Sequence, residues 1–426
     1  MQGIARLLPV VLLLSTSGLA PAEFRVGAAL RVLTPEKLMP ISGGVGPSAP
    51  TTEKRGDLFA RAMVFEKDTA RVAIVGLDFL GFPAVLGDRA RASIHGVRPE
   101  NVLIGSTHTH SAPDMYGFPD GKGGFGGDPQ YRTWVIGRIA EAVEEAVAKL
   151  RPAALKVAVG EARGKIAYNY YAPELYDPRS SVLQAVGTSG PAAGKVIATL
   201  VNYASHPEVL GPRSGILSPD FCGPLYERLE EVTGGMALFM NGAQGGMVTA
   251  DVRGPDGKDV QTWEECVRIG RLLADEALRI VKDAPLETDP GLHCAARTIE
   301  LALDSPLIRQ LLKVSPLDYS GYTDGEKVRT RLNLVNLGSA QLLTIPGEAL
   351  PNIGYFLKRK MPGEHDFLLG LTNDAFGYIL TRVDFDSFKR YSYISRTSLG
   401  EMTGEVYMQE ALKLVAESPP PDPPRS

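Results

Sequence analysis

The chain has 426 residues, 44% of them hydrophobic and 22% charged, which excludes a wholly disordered chain, a coiled coil and a polytopic membrane protein. The formal net charge is −4 and no Lys/Arg-rich run occurs, so the basic stripe that a polyanion needs is missing and nucleic acid is not expected as a partner. The 46 glycines and 32 prolines exceed the usual combined ~12% and predict long ordered loops.

The first segment reads as an export signal. Arg6 precedes the apolar run Leu7–Leu14, and Ala20-Pro21-Ala22 supplies small residues for a signal peptidase. The run contains Pro9 and is too short to cross ~30 Å of hydrocarbon as a helix. Residues 1–22 are therefore expected to be a signal peptide, giving an exported, periplasmic or extracellular chain; an uncleaved anchor is the alternative. Cleavage after Ala22 leaves 404 residues and, with Arg6 gone, a net charge of −5.

Strand-like runs follow at Ala70–Leu80, Asn101–Ser106, Leu155–Val159, Val182–Val186, Val196–Tyr203, Met236–Met240, Ala296–Leu303, Thr330–Leu337 and Phe367–Leu371. Several are rich in Val, Ile and Leu without alternation, as in strands covered on both faces. Helical periodicity marks Tyr131–Leu150, Trp263–Val281, Pro351–Met361 and Glu401–Val415. Strands and helices interleave, which predicts an α/β fold of mixed sheets covered by helices, in one large domain over 23–417. Residues 418–426 read as a disordered or extended Pro-rich tail. Cys222, Cys266 and Cys294 are an odd number and form no zinc ribbon or CxxC motif.

The chemistry-bearing residues sit at strand ends. Gly121–Gly126 matches GxGxxG, but no strand leads into it, so it reads as a loop over a site rather than a nucleotide cradle. Thr107-His108-Thr109-His110-Ser111 follows the 101–106 strand, and the two-residue spacing places both imidazoles on one face of extended chain. Imidazole ligates zinc and carries protons near neutral pH. The 196–203 strand likewise runs into Ser205-His206-Pro207. Asn241-Gly242-Ala243-Gln244-Gly245 follows a further strand, either as an approach for backbone N–H groups to an oxyanion or as a tight turn. Glu348 precedes a helix, either as a ligand or as a complement to the helix N-terminus.

These motifs together resemble a known family. THTHS at 107–111, NYASHP at 202–207, LSPDF at 217–221, NGAQG at 241–245, IPGE at 345–348 and GYILT at 377–381 are similar, in order, to the catalytic domain of neutral ceramidases, as are VLTP at 32–35, DLFARAMVFE at 57–66 and VGLDFLG at 75–81. The resemblance implies a zinc amidase with His108, His206, Glu348 and Tyr378 as ligands of Zn2+ and His110 as a proton-handling residue beside them. Asn241, Gly242 and Gly245 would bind substrate or oxyanion. Three departures stand out. Val248 occupies the place of the family's nucleophilic serine, and Asn169-Tyr170-Tyr171 stands where an N-R-S segment carries a catalytic arginine. No counterpart of the C-terminal immunoglobulin-like domain is expected after Glu417.

The resulting expectation is a secreted zinc hydrolase that cleaves an N-acyl amide, of a lipid or a small molecule, by metal-activated water. The same scaffold acting on another amide or ester linkage is one alternative, and a non-catalytic zinc-binding protein is the other. Contact with a membrane surface and the oligomeric state are left open by the sequence.

Overall fold

Successive side chains of a strand point to opposite faces, so a strand buried on both faces reads as an unbroken apolar run. The structure, a computed structural model, describes residues 23–424, and the expected signal peptide lies outside the described residues. In Phe59–Lys67, Ala62 and Val64 enter one core cluster while Met63 and Phe65 enter another. Ala70–Leu77 divides the same way, with Ala73 and Val75 on one face and Val72 and Ile74 on the other.

Eight strands form the main sheet, in the order 236–241, 196–203, 179–187, 151–161, 25–32, 59–67, 70–77 and 102–106. The outermost pair at each edge is parallel and the pairs between them are antiparallel. The sheet curls until its two edges meet. Arg61 Nη1 donates to Ala237 O at 3.0 Å, and Asn241 Nδ2 donates to Thr107 O at 2.9 Å. Glycines permit this approach: a Cβ at Gly76 would lie 2.6 Å from Leu238 Cδ1, and one at Gly105 would lie 2.5 Å from Met240 Cε.

A second, four-stranded sheet, in the order 292–302, 327–337, 340–344 and 365–369, packs on one face of the first. Leu342, Phe367 and Leu369 point into the interface between the sheets, whereas Leu343 and Leu368 point away from it. Helices cover both outer faces. On the main sheet lie α1 (Ala84–Ser93), α2 (Pro129–Ala148), α3 (Cys222–Thr233) and α4 (Trp263–Val281). Around the second sheet lie α5 (Pro306–Val314), α6 (Pro351–Lys358), the short α7 (Ser392–Arg396) and α8 (Thr403–Glu417). The result is a helix–sheet–sheet–helix sandwich, the mixed α/β architecture expected from the sequence. Among the described residues no helix is long and apolar enough to cross a membrane.

Four helices escaped the periodicity, the five-residue α7 among them. In α3, Gly223-Pro224 reads as a breaker, yet both fall in the first turn, where a missing N–H costs no hydrogen bond. The helices α1 and α5 are ten and nine residues long, too short to display a sustained repeat. The tail is extended rather than disordered over 418–424. Asn336 Nδ2 donates to Pro419 O at 2.7 Å, and Asp422 N donates to Gly338 O at 2.9 Å. All three cysteines are free thiols.

Candidate metal centre

Closing the sheet brings two strand exits together. Strand Val102–Ser106 is wholly buried, and two residues beyond it His108 takes a left-handed φ of 75°. That conformation costs a non-glycine residue on the order of 1 kcal/mol or more. It is held by the His108 N–H, which donates to Phe79 O at 2.9 Å, and by the ring Nδ1 bonded to Leu80 O. From the other exit, His206 donates its backbone N–H to Val248 O at 2.9 Å, and its ring Nδ1 meets the same oxygen at 2.7 Å. With both Nδ1 atoms given to carbonyls, each ring turns an Nε2 lone pair inward.

Those lone pairs meet a carboxylate. Glu348 Oε2 lies 3.2 Å from His206 Nε2 and 3.5 Å from His108 Nε2, and it makes no hydrogen bond. Two acceptor nitrogens facing an anionic oxygen repel one another unless a proton or cation stands between them. Ligands about 2.0–2.1 Å from a tetrahedral zinc are ~3.3 Å apart, and the two observed spacings bracket that value. His108, Glu348 and His206 are buried at 4%, 6% and 1% exposure, so bulk water cannot substitute for the missing partner. The donor set therefore fits a divalent metal.

Tyr378 is paired in register with Glu348 across two short parallel strands, which puts both side chains on one face. Its hydroxyl donates to Met247 Sδ at 3.4 Å. His108, His110 and His206 present nitrogens all within 4.8 Å of one another and also form a potential metal group. Glu348 is the better third donor, because its distances to His108 and His206 match those between ligands of one shared ion. His110 stands beside them, its Nδ1 3.4 Å from Glu208 Oε2 and neither ring nitrogen hydrogen-bonded.

The electrostatics follow from burial and proximity. Among protein groups alone, burial works against a charge on His206, but the adjacent Glu348 carboxylate and the Glu208 charge outweigh it and lift the imidazolium to about 9. Burial pushes Glu348 up, yet His108 and His206 together hold it well below the usual carboxylate range. Burial, aided by the two neighbouring histidines, drives His110 down to about 3 despite Glu208. His110 is therefore a neutral imidazole with an open lone pair.

The NGAQG segment runs between the two histidine loops. Asn241 is fully buried; its Nδ2 donates to Thr107 O and to Ser205 O, at 2.9 and 2.8 Å. Its Oδ1 accepts from Ser205 N at 3.2 Å and Gly242 N at 2.9 Å. Gly245 N donates to Ala349 O at 2.9 Å. The Gly242 and Gly245 N–H groups are thus committed within the protein, and the Asn241 side chain braces the two histidine loops. Glu348 does not serve the helix N-terminus: α6 starts at Pro351 with no acid in its first turn. Val248 is fully buried in the core and contributes only the carbonyl that orients His206. Tyr170 is 63% exposed and does not line the cavity on which His108 and His110 open.

His108, His110, Glu348 and Tyr378 open on one cavity of about 120 Å³, large enough for a small organic group. Tyr116, Gly117 and Phe118 form one wall, and Asp114 holds that turn by accepting their backbone N–H groups at 2.7, 3.1 and 2.8 Å. The neighbouring GxGxxG loop folds around Asp120, which accepts from Lys122 N and Gly124 N at 2.7 and 2.9 Å. Sequence reasoning missed Glu208, Tyr116 and Tyr393. Glu208 had a signal, since it repeats the two-residue spacing of His108 and His110; the tyrosines had none.

Fold and site together define an α/β sandwich that carries a potential metal centre at its strand exits. No protein-family model and no curated protein sequence matches the chain. Among solved structures it is similar to neutral ceramidase from Pseudomonas aeruginosa, with a TM-score of 0.73 and 18% identity over 96% of this chain and 77% of that one. A ceramidase solved in complex with C2 superposes with a TM-score of 0.72 and 18% identity, over 95% of this chain and 77% of that one. The fold is the neutral ceramidase fold.

Proposed function

We propose that the protein is an exported zinc-dependent hydrolase that cleaves an N-acyl amide. The observation that carries this reading is the Glu348 carboxylate set against two histidine lone pairs at 3.2 and 3.5 Å, beside a cavity. His108, His206 and Glu348 would hold the zinc, with the Tyr378 hydroxyl as the fourth donor. When bound, zinc polarises a carbonyl and lowers the pKa of water to ~7, so that water can attack at neutral pH. His110, neutral and without a hydrogen bond, takes the proton released in that attack and returns it to the leaving amine. Glu208 behind it steadies the imidazolium while it carries the proton.

The resemblance to ceramidases in motif and fold favours a lipid or related acyl amide as substrate, with the acyl group unspecified. The test is an unbiased screen of acyl amides and esters with zinc-loaded and zinc-stripped protein. Hydrolysis of at least one amide by the loaded form alone supports the reading. A fully loaded protein that hydrolyses none would reduce the zinc to an ordering role.

A further inference from the structure

The cavity beside the histidines holds a carboxylate that the chemistry above does not use. Asp374 lines it, is 7% exposed and lies four residues before Tyr378. Its Oδ1 accepts the backbone N–H groups of Ala84 and Ala375 at 3.1 and 2.9 Å, the first of them at the start of α1. The Thr330 hydroxyl beside it is buried and helps to hold the carboxyl down.

Asp374 forms no ion pair among the described residues. Asp88, close by, shows the contrast: Arg91 lies 2.8 Å and Arg331 3.5 Å from it, and it accepts the Tyr322 hydroxyl at 2.9 Å. Burial pushes the Asp374 carboxyl up to about 6, which leaves it anionic at neutral pH. An unpaired carboxylate in a buried cavity is costly, and such groups mark sites that receive a ligand. The walls around it are aromatic. Tyr116, Tyr319 and Tyr322 line the same cavity, and Asp374 acts electrostatically on all three phenols. Aromatic faces attract cations and do so more strongly once water is displaced.

We infer that Asp374 and this tyrosine wall receive an ammonium group carried by whatever molecule fills the cavity. Calling that molecule the substrate rests on the hydrolase reading above. A plain alkyl chain would leave the carboxylate buried and unpaired, so the preferred acyl group carries a positively charged amine remote from the scissile bond rather than an unbranched hydrocarbon end.

Asp374→Asn is the informative change, because the amide oxygen still accepts from Ala84 and Ala375 while the charge is gone. The probes are anilides of ω-amino acids of graded length and of their isosteric alkanoates, with CH3 in place of NH3+. Wild type should favour the best amino probe by about tenfold or more in kcat/KM, and Asp374→Asn should abolish that preference. Binding of the free ω-amino acids and alkanoates to the zinc-loaded proteins, measured by calorimetry, provides a readout that needs no turnover. Preference in binding without hydrolysis of any probe would sustain the Asp374 assignment and sink the hydrolase reading. Hydrolysis with no preference in wild type, or with a preference unchanged in Asp374→Asn, would overturn the Asp374 assignment and spare the hydrolase. Absence of any amine binding would overturn it as well.

Discussion

Zinc affinity is predicted to rise steeply with pH, because the ion must displace a proton that the site itself stabilises. Glu348 at 3.2 Å lifts the His206 imidazolium to about 9 from an ordinary 6.5. Only the neutral imidazole ligates, so each zinc bound below pH 9 expels that proton. The folded pKa lies above the working range, so apparent affinity climbs by about tenfold per pH unit as pH rises and levels off near the folded pKa. From pH 6.5 to roughly 8.5 the gain is about two orders of magnitude, or about 3 kcal/mol. Glu348→Gln removes the nearer of the two anions that raise His206 while burial still lowers its pKa, so the slope over this window should flatten. Competition with a chromophoric chelator, corrected for the chelator's own protonation, measures both slopes. A wild-type affinity that changes by less than tenfold across the window would refute the reasoning, as would an unchanged slope in Glu348→Gln.

Other outcomes follow from the same geometry. His108→Ala and His206→Ala should each abolish zinc retention as read by elemental analysis, while His293→Ala and His365→Ala, remote from the cluster, should leave it at wild-type level. In zinc-free protein the raised His206 pKa contributes stability that is complete below 6.5 and lost as pH rises through about 9; the loss is on the order of 3 kcal/mol and shows as a falling urea midpoint. A constant midpoint between those pH values would contradict it. Asn241→Ala removes four buried hydrogen bonds at about 1 kcal/mol each, so unfolding should cost ~4 kcal/mol less and the histidine loops should lose zinc; wild-type stability would show that the brace is dispensable. Finally, mass spectrometry of protein quenched during turnover should find no acyl adduct on serine or threonine, because Val248 has no nucleophilic atom and is buried away from the cavity. An adduct on Ser106, Ser111 or Ser205 would rule out direct attack by water.

Much of the architecture was legible because both faces of the sheets are buried. Val196–Tyr203 and Trp263–Val281 have the bounds that their sequence patterns predict. What periodicity cannot carry is the curl of the main sheet, which rests on close approach at Gly76 and Gly105 and on one asparagine side chain. His108 and His206 were legible as residues at strand exits, but their meeting was not, since their strands belong to different halves of the sheet. The role of NGAQG stays between two readings in the sequence for a related reason: small residues after a strand suit a backbone cradle and a tight turn equally, and only the partners of each N–H tell them apart. Asp374 was passed over because a single acid carries no pattern, and Glu208 because its two-residue spacing from His206 went unread; each gains meaning from its burial.

The central claim is that one zinc held at these strand exits makes the chain a hydrolase. Titrating zinc into the metal-free protein while following initial hydrolysis of its best acyl amide tests that claim most directly. The rate should rise linearly and stop rising at one zinc per chain. A rate independent of zinc, or one that stays at zero when the site is full, would contradict the account.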